Sequence, residues 1–131
     1  MCQEIPDAEW LVRAIPEREL DPITHEPTSF SFNSKELSVR ILTPQSVQAL
    51  VQSDRYVYLA AINAGYCRSI GLEVLPDPLP ELSEHALILM LSGRSSRATK
   101  LKHHAVRVPI IDNPEDVYER LVAAIDATVT L

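Results

Sequence analysis

The sequence predicts an α+β fold: a mixed or mostly antiparallel sheet of about five to seven short strands with about three or four packed helices. Three observations predict it. Three strand-like segments precede the first helical one, whereas a doubly wound α/β chain normally leads from its first strand into a helix. The strand-like segments are short and alternating, or short and wholly apolar, and turn residues bound them. The apolar share is 46% over 131 residues, enough for one core that buries roughly two thirds of the unfolded surface. The chain therefore reads as a single globular domain over residues 1–131, with 1–9 as a loose N-terminus.

Each element has its own local justification. "WLVRAIP" is a short strand stopped by Pro16, and the polar, proline-containing "ERELDPITHEPTS" follows. "SFSFN" alternates, which places Phe30 and Phe32 on one face and Ser29 and Ser31 on the other. "LSVRIL" alternates as well, with Leu37, Val39 and Ile41 inward and Ser38 and Arg40 outward. "NSKE" between these two strands reads as a hairpin turn or a looser connection.

"TPQSVQALVQS" is a helix with Thr43 as N-cap and Pro44 in the first turn. Its apolar stripe is Val47, Leu50 and Val51. "RYVYLAAI" is apolar on both faces and reads as a central strand. Asn63 then caps a short helix, "AGYCRSI", that Gly71 ends. "LEVL" is a short strand, and a loop with prolines at 76, 78 and 80 leads into "ALILML", the most apolar run of the chain.

After Gly93, "RSSRATKLKHHA" reads as a helix packing through Ala98, Leu101 and Ala105, and "VRVPII" as a last strand. Asn113-Pro114 caps "PEDVYERLVAAIDATV", whose early Glu115 and Asp116 suit the positive end of the helix dipole. Its core face is Val117, Leu121, Ala124 and Ile125.

Composition excludes several functions. A net charge of −6 disfavours general binding to nucleic acid or anionic membrane. No apolar run is long enough to span a bilayer, and the acidic start "MCQEIPDAEW" lacks an apolar export core. No cofactor is expected: GxGxxG and GxxxxGK[ST] are missing, as are CxxC and HExxH metal spacings. His103 and His104 diverge by about 100° on a helix, so they do not chelate one ion by themselves. Cys2 and Cys67 give no disulfide framework and read as reduced thiols of a cytoplasmic protein.

Three features are candidates for chemistry or binding. Arg94, Arg97, Lys100, Lys102 and Arg107 are five of the twelve cations and lie within a stretch free of acids. On a helix, Arg97, Lys100 and His104 fall in an arc of about 60°, a stripe suited to an acidic partner, a phosphate or an RNA backbone. No aromatic residue interrupts it to stack a base. His85 stands at the mouth of a central strand at the end of a long loop, with Glu81, Glu84 and Asp77 close by, which suits a general base. A triad also needs a nucleophile, and the sequence marks none. Arg13 is a lone cation in a short apolar strand, facing solvent or holding an anion. Arg13 followed by "TSFSF" resembles the arginine-then-serine strand order of ADP-ribosyltransferase folds, but the glutamate those enzymes need has no counterpart closer than Glu73.

The succession "LVRAIP", "SFSFNSKELSVRI", "GYCRSIGLEVLPDPLPELSEHALI" resembles a group of small bacterial proteins of similar length. Those share a strand-ending "LSV", then "LGL.V..DPLP", then "HA.I". The likeness covers residues 11 to about 91, with "IGLEV" here in place of "LGLEV". It implies a bacterial, cytoplasmic origin and no particular activity.

The first functional reading is therefore a non-enzymatic docking module for a larger protein partner. It would bind through Asp77, Leu79 and His85 of the stiff loop and through Arg94, Arg97 and Lys100 of the basic helix. The alternative is a small transferase or hydrolase for a phosphorylated or nucleotide substrate, with His85, Arg13 and Arg97 around a cleft. An RNA-binding domain is the second alternative. Self-association into a homo-oligomer is compatible with all three, and a membrane partner with none.

Overall fold

The computed structural model describes residues 4–77, 84–90, 93–111 and 113–129. Its strands are β1 (Trp10–Ile15), β2 (Glu36–Ile41), β3 (Tyr58–Asn63), β4 (Glu73–Pro76), β5 (His85–Leu89) and β6 (Val106–Pro109). They form one sheet in the order β4-β5-β2-β1-β3-β6, and every neighbouring pair is antiparallel. Among the described residues four α-helices pack on it: α1 (Pro44–Gln52), α2 (Ala64–Ser69), α3 (Arg94–His104) and α4 (Pro114–Val129). The α+β class is as the sequence predicts.

The caps form as their residues dictate. The Thr43 hydroxyl accepts from the Ser46 N–H while the Ser46 hydroxyl accepts from the Thr43 N–H, so α1 starts on a closed reciprocal pair. Asn63 Oδ1 accepts from the Tyr66 N–H at the start of α2. Asn113 Oδ1 accepts from the Asp116 N–H at the start of α4.

Strand alternation divides the core in two. On one face Leu11, Ile15, Leu37, Val39, Ala86 and Ile88 are buried beneath α2, α3 and Phe32. On the other, Val12, Leu59, Ala61 and Val108 are buried beneath α1 and α4. The second cluster draws no residue from β2, β5 or β4. Among the described residues no helix therefore lies over half of that face, and its Ser38, Arg40, Leu75, His85 and Leu87 are exposed or half-exposed.

Two expectations are corrected. "SFSFN" is not a strand but a 3-10 turn, Ser29–Phe32, closed by the Ser31 N–H to Thr28 O and the Asn33 N–H to Phe30 O bonds. A threefold period sends residues two apart to different sides. Phe32 is accordingly fully buried while Phe30 is 70% exposed, and "NSKE" closes no hairpin between them. The N-terminal stretch is not loose over residues 4–9. Ile5 is buried, the Ala64 and Gly65 N–H groups donate to Glu9 O and Asp7 O, and Arg68 pairs with Asp7 at 2.5 Å. These contacts offset the entropy of ordering the segment.

Gly71 follows α2 with φ +85°, and a Cβ there would meet Arg97 Nη2 at 3.0 Å. The arginine tip can move aside, but the left-handed backbone cannot be relieved. Gly71→Ala is expected to lower unfolding stability by about 1–2 kcal/mol, read as a reduced urea midpoint at unchanged slope.

Candidate active site

The antiparallel register builds a row of polar side chains on the uncovered half-face. Arg40 of β2 lies directly opposite His85 of β5. On the other side of β5, the Asp77 N–H donates to His85 O at 2.9 Å, which continues the β4–β5 ladder by one residue. Ser38 precedes Arg40 by two residues, so it shares that face and stands diagonally from His85, within reach of a ring.

The side chains close a chain of hydrogen bonds. His85 Nδ1 lies 3.0 Å from Asp77 Oδ2 and 3.1 Å from the Asp77 main-chain oxygen. A carbonyl oxygen only accepts, so Nδ1 carries the proton and donates to Asp77. In the neutral ring Nε2 is then an acceptor, and it takes a short hydrogen bond from the Ser38 hydroxyl. The His85 side chain is 13% exposed and that of Asp77 43%, while Ser38 is open to solvent. Serine, imidazole and carboxylate thus stand in the order of a nucleophile, a base and the group that orients the base. The serine is the member that the sequence does not mark.

A cavity of about 200 Å³ opens beside this chain, between β1, β2 and the end of α1; Arg13, Ser38, Arg40, Leu50, Tyr56 and His85 line it. Arg13 sits where β1 and β2 part: only Leu11↔Ile41 and Val12↔Arg40 are in register. Its Nε donates to Ser31 O at 2.7 Å and its Nη1 to Ser38 O at 3.1 Å. The guanidinium thereby satisfies the carbonyl of the serine that His85 contacts. Burial pushes the Arg13 pKa down, and the fields of Glu19 and Tyr56 oppose the shift. Ser31 is itself buried, and its hydroxyl finds no hydrogen-bond partner among the described residues.

The structure brings His85, Asp77 and Arg13 to one site, and adds Ser38, Arg40 and Tyr56. It does not bring Arg97 or Lys100 there. Their helix packs through Ala98 and Leu101 on the opposite face of the sheet, with Ala86 and Ile88 of the same β5 strand. Lys100 is exposed, and Arg97 is half-buried beside Gly71. Leu79 and Glu81 lie outside the described residues, as does the Arg94 side chain. Since "TSFSF" forms a turn rather than a strand, the arginine-then-serine strand order is not met.

His104, the third member of the expected basic stripe, faces inward. It stacks between Tyr66 and Trp10, with ring centroids 3.9 Å and 5.6 Å away and interplanar angles of 5° and 8°. Its Nε2 accepts the Asn63 N–H at 3.2 Å. Burial pushes its pKa below the ordinary 6.5. The unfolded chain therefore binds a proton that the folded one refuses, and stability falls with acidification. His104's contribution is complete above about pH 6.5 and is lost as pH drops through its lowered pKa. Urea midpoints measured at pH 7.5 and pH 5 should show that loss. His104→Gln, which keeps an acceptor for the Asn63 N–H, should flatten it.

Cys67 is fully buried in α2. Burial pushes its thiol up to about 12, against weaker lowering by Arg68, so it packs rather than attacks. Cys2 lies outside the described residues. A larger cavity of about 620 Å³ lies between α1 and α4, lined by Gln48, Gln52, Glu115, Tyr118 and Glu119 among others. Among the described residues it presents no serine, cysteine or histidine. Among the described residues no cluster of His, Cys, Asp and Glu could hold a metal ion, and no helix is long and apolar enough to cross a membrane. Comparison with protein-family models, with curated proteins and with solved structures finds no match to this chain.

Proposed function

We propose that the chain is a small serine hydrolase acting on ester or thioester bonds. One observation carries the reading: the continuous Ser38–His85–Asp77 hydrogen-bond chain at the mouth of a cavity. In this reading Ser38 Oγ attacks the acyl carbon as His85 Nε2 takes its proton. His85 then returns that proton to the departing alcohol or thiol, leaving an acyl-serine. Water, deprotonated by the same nitrogen, releases the acid and restores Ser38. Asp77 positions the ring and stabilises the imidazolium that each step forms.

The test is labelling with a fluorophosphonate, which captures activated serines. Peptide mass spectrometry should place the adduct on Ser38 and find it missing in His85→Ala. An unlabelled wild-type protein that also leaves p-nitrophenyl acetate intact would remove the proposal.

A second reading is the docking module for a larger partner. It is favoured by the uncovered half-face, where Leu75 is 41% exposed and lies opposite half-exposed Leu87 across the β4–β5 ladder. The edge strand β4 beside it also has a backbone side that no strand among the described residues pairs with. A stoichiometric protein partner recovered with the wild type and lost with Leu75→Asp, in a chain that resists fluorophosphonate, would favour this reading.

A further inference from the structure

Resting on the hydrolase reading, we propose that the cavity beside Ser38 is an oxyanion subsite, and that the substrate carries a phosphoryl or carboxylate group seated on Arg40 and Arg13. Four observations converge on it. Arg40 stands directly opposite His85 and lines the cavity, and it makes no hydrogen bond or ion pair among the described residues. Arg13 lines the same cavity and is half-buried. It is held by two main-chain carbonyls, with no carboxylate within ion-pair distance among the described residues. The field of Glu19 reaches it only from beyond ion-pair distance, and a half-buried cation without a contacting carboxylate is stabilised when an anion completes it.

The third observation is Tyr56, which lines the cavity and adds a hydroxyl donor to it. The fourth is size. At about 200 Å³ the cavity is smaller than the roughly 300–1,000 Å³ of drug-sized ligand sites. It suits a compact charged group, with the scissile bond outside it on Ser38. In a chain of net charge −6, two arginines lining one cavity with no ion pair among the described residues are not a reflection of bulk composition. Arginine is also the residue whose planar fork matches phosphate and carboxylate oxygens in pairs.

Inorganic phosphate and acetate, each titrated into the full chain by calorimetry, test the subsite without relying on turnover. Saturable binding of either is expected, weakened at least tenfold by Arg40→Gln and less by Arg40→Lys, with unfolding midpoints close to wild type. The tighter of the two anions assigns phosphoryl or carboxylate. A catalytic arm compares p-nitrophenyl hemisuccinate with p-nitrophenyl acetate. The ratio of their kcat/KM values should favour the anionic ester and fall about tenfold in Arg40→Gln. Anion binding that depends on Arg40, in a chain that fluorophosphonate does not label and that leaves p-nitrophenyl acetate intact, would keep the subsite and remove the hydrolase. A labelled, active chain with no Arg40-dependent binding of either anion and no ester preference would overturn the subsite and leave the hydrolase standing.

Discussion

Ser38→Ala and His85→Ala are each expected to lower ester turnover by at least about a thousandfold. The double variant should lose scarcely more than either single one, because the two atoms act as one unit. The measurement is kcat/KM on p-nitrophenyl acetate, with the urea midpoint as a control for folding. Both positions sit on the uncovered half-face, so neither substitution opens a cavity in the core. Asp77→Asn should behave differently. In a triad held only by its carboxylate, the amide turns the ring to the wrong tautomer and costs about ten-thousandfold. Here the Asp77 main-chain oxygen also accepts from Nδ1, at 3.1 Å, and no side-chain substitution removes it. The tautomer survives and only the electrostatic support is lost, so the expected loss is about ten- to a hundredfold. A loss as large as that of His85→Ala would mean that the carboxylate alone orients the ring.

Phe32→Ala is expected to cost about 3–5 kcal/mol of unfolding stability and Phe30→Ala less than about 0.5 kcal/mol. The two residues are neighbours but one in sequence and were both expected on one strand face. The 3-10 turn separates them: Phe32 is fully buried against the first core cluster, and Phe30 is 70% exposed. Chemical unfolding of the two variants measures the difference directly. Similar costs for both would restore the strand. Phe32→Ala has a second consequence, since the same turn carries the Ser31 carbonyl that receives Arg13 Nε. Loosening the turn should weaken the hold on Arg13 and, through it, on the Ser38 carbonyl.

What could be read from the sequence was what is encoded within a few residues. Thr43-Pro44, Asn63 and Asn113-Pro114 start helices because a side-chain oxygen meets the N–H three residues on. The outward position of Ser38 and Arg40 was also legible, from alternation in "LSVRIL". Their meaning was not. It depends on β2 pairing with β5, which joins Ser38 to His85 across 47 positions, and alternation does not encode partner or register. His85, Asp77 and Arg13 could be singled out one by one, as could the basic helix. That the sheet passes between His85 and that helix follows from which face of β5 each occupies, a tertiary fact. "SFSF" misled because two apolar residues spaced by two fit a strand over so short a span. Arbitration came from the Thr28 and Phe30 carbonyls, which find their partners locally rather than across a ladder.

The parting of β1 and β2 divides the sheet unequally. β1 and β3 share six registered pairs, and β2 and β5 share five, but the joint between these two halves has two, plus the Leu42 N–H to Trp10 O bond. The trios β1-β3-β6 and β4-β5-β2 are thus better bound within themselves than to each other along the backbone. Their amides should exchange with solvent as two cooperative blocks of different free energy. Ser38 and Arg40 lie on one block and Arg13 on the other, with the cavity along the joint, so whatever bridges both arginines would couple the two blocks into one.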